Sequence, residues 1–246
     1  MSKLMNWIIN WLGSGKYFFV EFDGDSAYIN CGDDANLEDL HGATGFTVDG
    51  WVRIPDEQLE GYGTIASKYD VIEAAPTGWY FVADQGSGVL VSTATYSTNP
   101  AASITAENMT AGTWAHVLTC FNPVDAKLYS AIDGVWSTYS VQTAAVGVIG
   151  TDAGIDFLMG AAHNGGKAAT FLADDIQWLR LSSGVRYEIG EGFTSPDMCP
   201  PPDTDGITVE IWALDEGSGI IANATVNNPT NRGAMTDCTW ETCVEE

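Results

Sequence analysis

The sequence predicts an all-β protein in which two antiparallel sheets pack face to face as a sandwich. Short apolar or alternating segments recur about every ten residues, as they do in sandwiches and jelly rolls. Gly, Asp-Gly and Asn-Pro separate these segments, and no helical pattern of normal length interrupts them. Hydrophobic residues make up 45% of the chain and aromatic residues 11%, enough to fill the space between two sheets.

The clearest single strand is the segment 46–54. Its alternation places Phe46, Val48, Val52 and Ile54 on one face, with Gly50 between them. This face is therefore predicted to be buried. Further strand-like segments are 61–68, 78–83, 88–92, 112–121, 127–132 and 155–160.

The segment 171–182 is the strand around which the rest of the fold is predicted to be organised. It carries Ile176 and Trp178 in alternation and continues into two leucines, so one of its faces is well buried. Two adjacent carboxylates, Asp174 and Asp175, lie where the strand begins. Neighbouring like charges repel, so such a pair is usually stabilised by a cation, by backbone N–H donors or by water.

A second segment with carboxylates beside a glycine lies near the start of the chain, at 22–29. It is also strand-like, and it carries Asp23 next to Gly24. If the first and last strands of the sandwich pair, these two residues come close to Asp174 and Asp175.

The segments at the two ends differ from the predicted sandwich, which covers 16–190. Residues 1–15 have apolar side chains at helical spacing, which predicts a short amphipathic helix docked on the domain or on a partner. A cleaved signal peptide is the alternative. Residues 191–206 contain three consecutive prolines and are predicted to form an extended linker. Residues 207–246 are too few for a core of their own, so they are predicted to pack on the sandwich or on a neighbouring molecule.

Charge excludes one class of partner. The chain has 33 acidic and 9 basic residues, a net charge of −24, which repels the phosphates of nucleic acids. The apolar run near the N-terminus is too short to span a bilayer, so no membrane partner is predicted. The five cysteines are an odd number, which argues against a fully disulfide-bonded scaffold, and their pairing stays open.

Catalytic motifs are missing from the sequence. It has no Gly-x-Ser-x-Gly elbow, phosphate-binding loop or His-Glu-x-x-His helix. Glycoside hydrolysis needs two carboxylates that face the same groove. Glu210 and Asp215 come nearest to this, but an odd separation of five positions places them on opposite faces of a strand. His116, within an apolar strand, is interpreted as structural. The protein is therefore predicted not to be an enzyme.

Six short phrases in a fixed order carry a resemblance to a known superfamily. They are Phe22-Asp23-Gly24, Phe46-Thr-Val-Asp-Gly-Trp-Val52, Thr64-Ile-Ala-Ser-Lys68, Gly112-Thr-Trp-Ala-His-Val117, the hairpin from Leu128-Tyr129 to Asp133-Gly134, and Ala173-Asp-Asp-Ile-Gln-Trp-Leu179. Over residues 18 to 187 the chain thus resembles the laminin-G-like, concanavalin A-like lectin/glucanase superfamily, which includes the pentraxins.

The resemblance implies a two-sheet antiparallel jelly roll, often with one calcium ion on its rim. Calcium prefers several hard oxygen ligands. Asp23, the carbonyl of Gly24, Asp174 and Asp175 would supply them if the first and last strands pair. The alternative is that Asp23-Gly24 is only a turn and that Asp174 caps backbone donors.

Glycan binding would use exposed aromatic rings, because one face of a sugar is apolar while its hydroxyls need polar partners. The pair just after the Asp133-Gly134 turn, Trp136 and Tyr139, is the favoured candidate, although packing is the alternative role for each ring. The other aromatic candidates are Trp79, Tyr80 and Tyr96.

Two functions remain open on the sequence alone. The first is a non-catalytic structural or adhesion module of a larger assembly, such as a phage capsid decoration or tail protein assembled in the host cytoplasm. The lack of a clear signal peptide and the apolar N-terminal stripe favour it, with further copies of the chain or other virion proteins as partners. The alternative is a calcium-assisted, glycan-binding lectin module of a secreted or surface protein, which would be extracellular.

Overall fold

The computed structural model describes residues 16–56, 59–70, 76–224 and 232–244, so the predicted helix at 1–15 lies outside the described residues. Over those ranges the chain forms nineteen strands in two sheets, and it contains no helix able to cross a membrane. The predicted all-β sandwich is thus confirmed.

Sheet A has eight strands, in the order β10-β9-β8-β3-β15-β1-β19, with β16 also paired to β15. Their bounds are β1 Lys16–Asp23, β3 Phe46–Arg53, β8 Ala115–Asn122, β9 Lys127–Ile132, β10 Val135–Trp136, β15 Ala173–Ser183, β16 Thr208–Trp212 and β19 Thr239–Val244.

Sheet B has eleven strands, in the order β11-β7-β6-β5-β4-β12-β2-β18-β17, with the hairpin β13–β14 attached to β4. Their bounds are β2 Tyr28–Asn30, β4 Tyr62–Asp70, β5 Thr77–Asp84, β6 Val89–Ala94, β7 Ala101–Asn108, β11 Tyr139–Thr143, β12 Leu158–Met159, β13 Ala162–Asn164, β14 Lys167–Ala169, β17 Ile221–Ala222 and β18 Gly233–Thr236.

Strand β15 lies in the interior of sheet A and pairs with three other strands. It pairs with β3 along most of its length on one side. On the other side it pairs first with β1, where Phe22 lies opposite Asp174, and then with β16, where Trp212 lies opposite Leu179. The predicted pairing of the first strand with the strand at 171–182 is therefore confirmed.

The segment 22–29 does not form one strand. Strand β1 ends at Asp23, and the chain turns into β2, which belongs to the other sheet. The carboxylate of Asp23 accepts backbone N–H bonds from the three residues 25–27 and so holds this turn. Gly24 adopts a φ of +75°, and a Cβ there would lie 2.8 Å from that of Ala173.

The hydrophobic core lies between the two sheets. Phe46, Val48, Val52 and Ile54 are all buried in it, which confirms the predicted buried face of β3. Large aromatic side chains also fill the space between the sheets, and their rings contact one another. The rings of Phe157 and Trp212, for example, are stacked with their centroids 4.9 Å apart.

The last forty residues complete both sheets rather than forming a separate unit. Strand β19 pairs with β1 in sheet A, and β18 pairs with β2 in sheet B. Trp212 and Leu214 are fully buried in the main core. These pairings join residues about two hundred positions apart, which no local pattern reveals.

The proline-containing segment lies against the outer face of sheet A. The carbonyl of Pro196 accepts the indole N–H of Trp51, and that of Asp197 accepts the N–H of Trp178. Just before it, the rings of Tyr187 and Phe193 stack at 3.9 Å. The residues predicted as a spacer thus cover this sheet.

Candidate functional site

The outer face of sheet B carries a groove. Along β5, Trp79 and Phe81 point into the core, so the alternation of the strand turns Tyr80 and Val82 outward. Val82 lies directly opposite Thr64 on β4, and neighbouring β6 contributes an apolar residue to the same row. The floor of the groove is therefore a flat, largely apolar strip of three strands.

Three tyrosines, Tyr62, Tyr69 and Tyr80, stand along this floor. The rings of Tyr69 and Tyr80 meet edge to face at 4.8 Å, and Tyr62 is 51% exposed. Burial, with Tyr80 and Asp70 nearby, raises the pKa of Tyr69, so its phenol stays neutral at ordinary pH. Among the residues that the structure describes, none hydrogen-bonds the three hydroxyls.

The hairpin β13–β14 forms the wall of the groove and is fixed at both ends. At its tip, the carboxylate of Asp70 accepts the N–H groups of Gly165 and Gly166, at 2.7 and 3.2 Å. Both glycines have positive φ, as a two-residue hairpin turn requires. At its base, the hydroxyls of Thr64 and Thr170 are hydrogen-bonded at 2.9 Å. The wall is therefore held in place before any ligand arrives.

The groove has a volume of about 350 Å³, within the usual range for small-molecule sites. It combines apolar area with a few polar side chains. Its described lining consists of Tyr62, Thr64, Tyr69, Tyr80, Val82, Val91, Ala162, His163, Asn164, Ala169 and Thr170. None of these eleven side chains is a carboxylate, a lysine or an arginine.

The predicted ligand-binding pair does not line this groove: Trp136 lies on β10 at the edge of sheet A, and Tyr139 lies on β11 at the edge of sheet B. The indole N–H of Trp136 donates to the carbonyls of Glu188 and Glu191, each at 2.9 Å. The hydroxyl of Tyr139 accepts the N–H of Ser130, and burial raises its pKa. Both polar groups already have protein partners, and a role in binding stays a prediction.

The four residues predicted to bind calcium, Asp23, Gly24, Asp174 and Asp175, lie together where β1 pairs with β15. Burial acts to raise the pKa of Asp23, but four hydrogen bonds from its turn outweigh it and lower the pKa to about 2. The carboxylate of Asp175 is buried and forms an ion pair with Arg53.

An ion at this corner would have to compete with these protein donors. The side chain of Asp174 lies outside the described residues, and the described side chains contain no group of three His, Cys, Asp or Glu suited to a metal. Calcium therefore stays a prediction. Comparing the melting temperature in calcium and in chelator tests it.

Sequence reasoning missed most of the groove. Tyr80 is among the aromatic candidates for stacking, but Tyr62, Tyr69 and His163 were not selected. The sequence of β5 does contain a signal for part of the groove. Because alternate residues of a strand face opposite sides of the sheet, a buried Trp79 implies that Tyr80 and Val82 face outward. The wall was not predictable in this way, because the hairpin reaches the groove only through the tertiary fold.

Comparisons with known proteins identify the fold. No protein-family model matches the sequence, and no curated protein matches it either. A solved protein of Bacteroides ovatus, described as a candidate carbohydrate-binding protein, superposes with a TM-score of 0.65 at 12% identity. That match covers 93% of this chain, which spans only 62% of the length of the other protein.

Two further solved structures are similar. The CBM40 module of the Ruminococcus gnavus IT-sialidase superposes with a TM-score of 0.51 at 10% identity, covering 71% of this chain and 95% of the module. The heptameric pentraxin of Limulus polyphemus gives 0.48 at 12% identity, over 71% and 79%. At these identities the likeness to the Bacteroides ovatus protein and to the CBM40 module establishes the fold alone: a two-sheet sandwich of the concanavalin A-like kind.

Proposed function

We propose that this chain is a non-catalytic carbohydrate-binding module and that the groove on sheet B holds the glycan. One observation carries the proposal. Three tyrosines stand over an apolar floor, and their hydroxyls have no hydrogen-bond partner in the described part of the chain. Tyrosine combines an apolar ring with a polar hydroxyl, and such side chains are enriched at binding sites.

A sugar ring matches this combination of groups. Its apolar C–H face packs on an aromatic ring or on the valines of the floor. Its hydroxyls donate to and accept from phenol and amide groups, which Tyr80 and Asn164 provide here. Because the wall is already fixed, little conformational entropy is lost on binding.

The proposal also states that the groove binds the glycan without hydrolysing it. Most glycoside hydrolases need two carboxyl groups that flank the scissile bond. The described lining of the groove offers neither an aspartate nor a glutamate. The nearest carboxylate on β4, that of Asp70, is occupied by the hairpin turn.

The similar structures support the glycan-binding hypothesis better than the structural one. The two with a TM-score above 0.5 are named for carbohydrate binding or as a CBM40 module. None of the comparisons supports a virion role, and the location of the protein, in a virion or outside the cell, stays a prediction.

Binding to a glycan array, followed by calorimetry with the best ligand, tests the proposal. Tyr80→Phe removes a single hydroxyl and should weaken binding about 2- to 10-fold, the range of one hydrogen bond. Tyr62→Ala removes an exposed ring at little cost in stability and should weaken it further. Tyr129→Phe, on the other sheet, is the matched control and should bind normally. Equal affinity of all variants would contradict the site, and no binding of any glycan would contradict the function.

A further inference from the structure

We infer that the groove selects uncharged glycans and rejects those that carry a carboxylate, sulfate or phosphate. This inference rests on the proposed function and adds the class of ligand. It starts from the lining, whose described polar groups are phenols, threonine hydroxyls, one amide and one imidazole. An anionic group buried there would lose its hydration without gaining an opposite charge, which is strongly unfavourable.

The basic side chain nearest in sequence to the floor residues, that of Lys68, binds other parts of the protein and does not reach the groove. Lys68 is on β4, the strand that carries Thr64 and Tyr69, but its side chain is fully buried on the core side. Its ammonium donates to the carbonyls of Asp152 and Ile155, at 2.8 and 2.6 Å. The strand therefore has a positive charge that it does not present to the groove.

The imidazole of His163, which also lines the groove, offers no accessible N–H group to an anionic ligand either. Both ring nitrogens of His163 are covered, and neither has a hydrogen-bond partner among the described residues. The ring thus offers the groove its carbon atoms, which suit the apolar face of a sugar.

One exposed cation lies at the rim. Lys167 is opposite Asn164 in the hairpin and is exposed to solvent. A single exposed ammonium on a flexible stem contributes little to binding a charge. The net charge of −24 acts against it, because it lowers the local concentration of anions around the whole protein.

The experiment compares neutral glycans with their own acidic derivatives on the intact chain. The probes are lactose with 3′-sialyllactose, together with neutral glycans paired with their sulfated and uronic-acid counterparts. Each pair is measured at ionic strengths of about 0.01 M and about 1 M, between which the Debye length falls from about 30 to about 3 Å. We expect the neutral member to bind at least tenfold more tightly at low salt, with an affinity that salt changes less than twofold.

Each result is decisive. Tenfold tighter binding of acidic members, lost at high salt, would overturn the inference and leave the proposed function standing. Equal affinity for the neutral and the acidic member of each pair would overturn it equally. No binding of either member of any pair would overturn the proposed function as well. Lys167→Gln is the matched variant: unchanged affinities support a neutral site, whereas a tenfold loss would assign charge recognition to the rim.

Discussion

Arg180 on β15 and Asp49 on β3 are direct partners across the two strands and form a buried two-point ion pair. The guanidinium Nε lies 2.9 Å from one carboxylate oxygen, and its second nitrogen contacts the other. Tyr187 and His116 also contact this carboxylate, each at 3.2 Å. Burial alone would raise the pKa of Asp49, but the hydrogen bonds from His116 and Arg180 hold it below its usual range.

Breaking this pair should destabilise the sandwich strongly. Asp49→Ala leaves the guanidinium of Arg180 buried without its partner, which typically costs about 3–5 kcal/mol. Urea unfolding followed by tryptophan fluorescence measures the loss. The control is the double variant Asp49→Ala/Arg180→Met, in which neither charge remains, so a large part of the stability should return. A single variant as stable as the wild type would contradict the structural role of the pair.

The turn between β1 and β2 makes stability depend on acid pH. The folded-state pKa of Asp23 is about 2, against 3.8 for an unperturbed group, so the folded state holds this proton less tightly than the unfolded state. The stabilisation that the Asp23 carboxylate provides is fully present above about pH 4 and is lost as the pH falls through about 2. Asp23→Ala should therefore be less stable than the wild type at pH 6 and should match it near pH 2.

Unfolding by urea at a series of pH values measures this difference. Asp25→Ala is the matched control, since Asp25 belongs to the same turn but contributes its backbone N–H, which the substitution keeps, to the hydrogen bonds that Asp23 accepts. A constant gap between wild type and Asp23→Ala from pH 6 to pH 2 would show that the carboxylate charge is not what holds the turn.

The sequence predicted those parts of the fold whose signal is local. Alternation in β3 and the apolar run in β15 depend only on neighbouring residues, and both strands are found where they were expected. The segment 22–29 is strand-like in sequence but contains a turn, because the side chain of Asp23 accepts three successive N–H groups. Strand-like residues on both sides of the turn conceal it.

The groove shows why sites are harder to predict than strands. Its side chains come from β4, β5 and β6 and from a hairpin about eighty positions later. Each tyrosine taken singly looks like an ordinary strand residue. Only the register that sets Thr64 beside Val82, and the anchoring of the hairpin by Asp70, make them one site.

Removal of residues 207–246 should unfold the domain rather than release an appendage. The deletion takes away one of the two partner strands of β1 and of β2, and the strand that pairs with residues 179–182 of β15, together with the buried Trp212. We expect the fragment to lose its cooperative thermal transition by circular dichroism. The point variant Trp212→Ala should cost about 3–5 kcal/mol, as large core truncations do. A fragment 1–206 that melts cooperatively near the wild-type temperature would show that the sandwich is complete without these strands.

Trp136 distinguishes the two candidate glycan surfaces. Its ring packs edge-on against Tyr129 and Phe193, and its N–H is bonded to two carbonyls of the segment that covers sheet A. Trp136→Ala should therefore lower the free energy of unfolding by about 2–3 kcal/mol, because the ring is only partly buried, and should change glycan affinity less than twofold. Tyr62→Ala should give the opposite pattern, with normal stability and weakened binding. The contrary outcome is a loss of affinity in Trp136→Ala, at temperatures where that variant is fully folded, with no loss in Tyr62→Ala. It would mean that the glycan binds beside the Asp133-Gly134 turn and that the groove on sheet B is not its site.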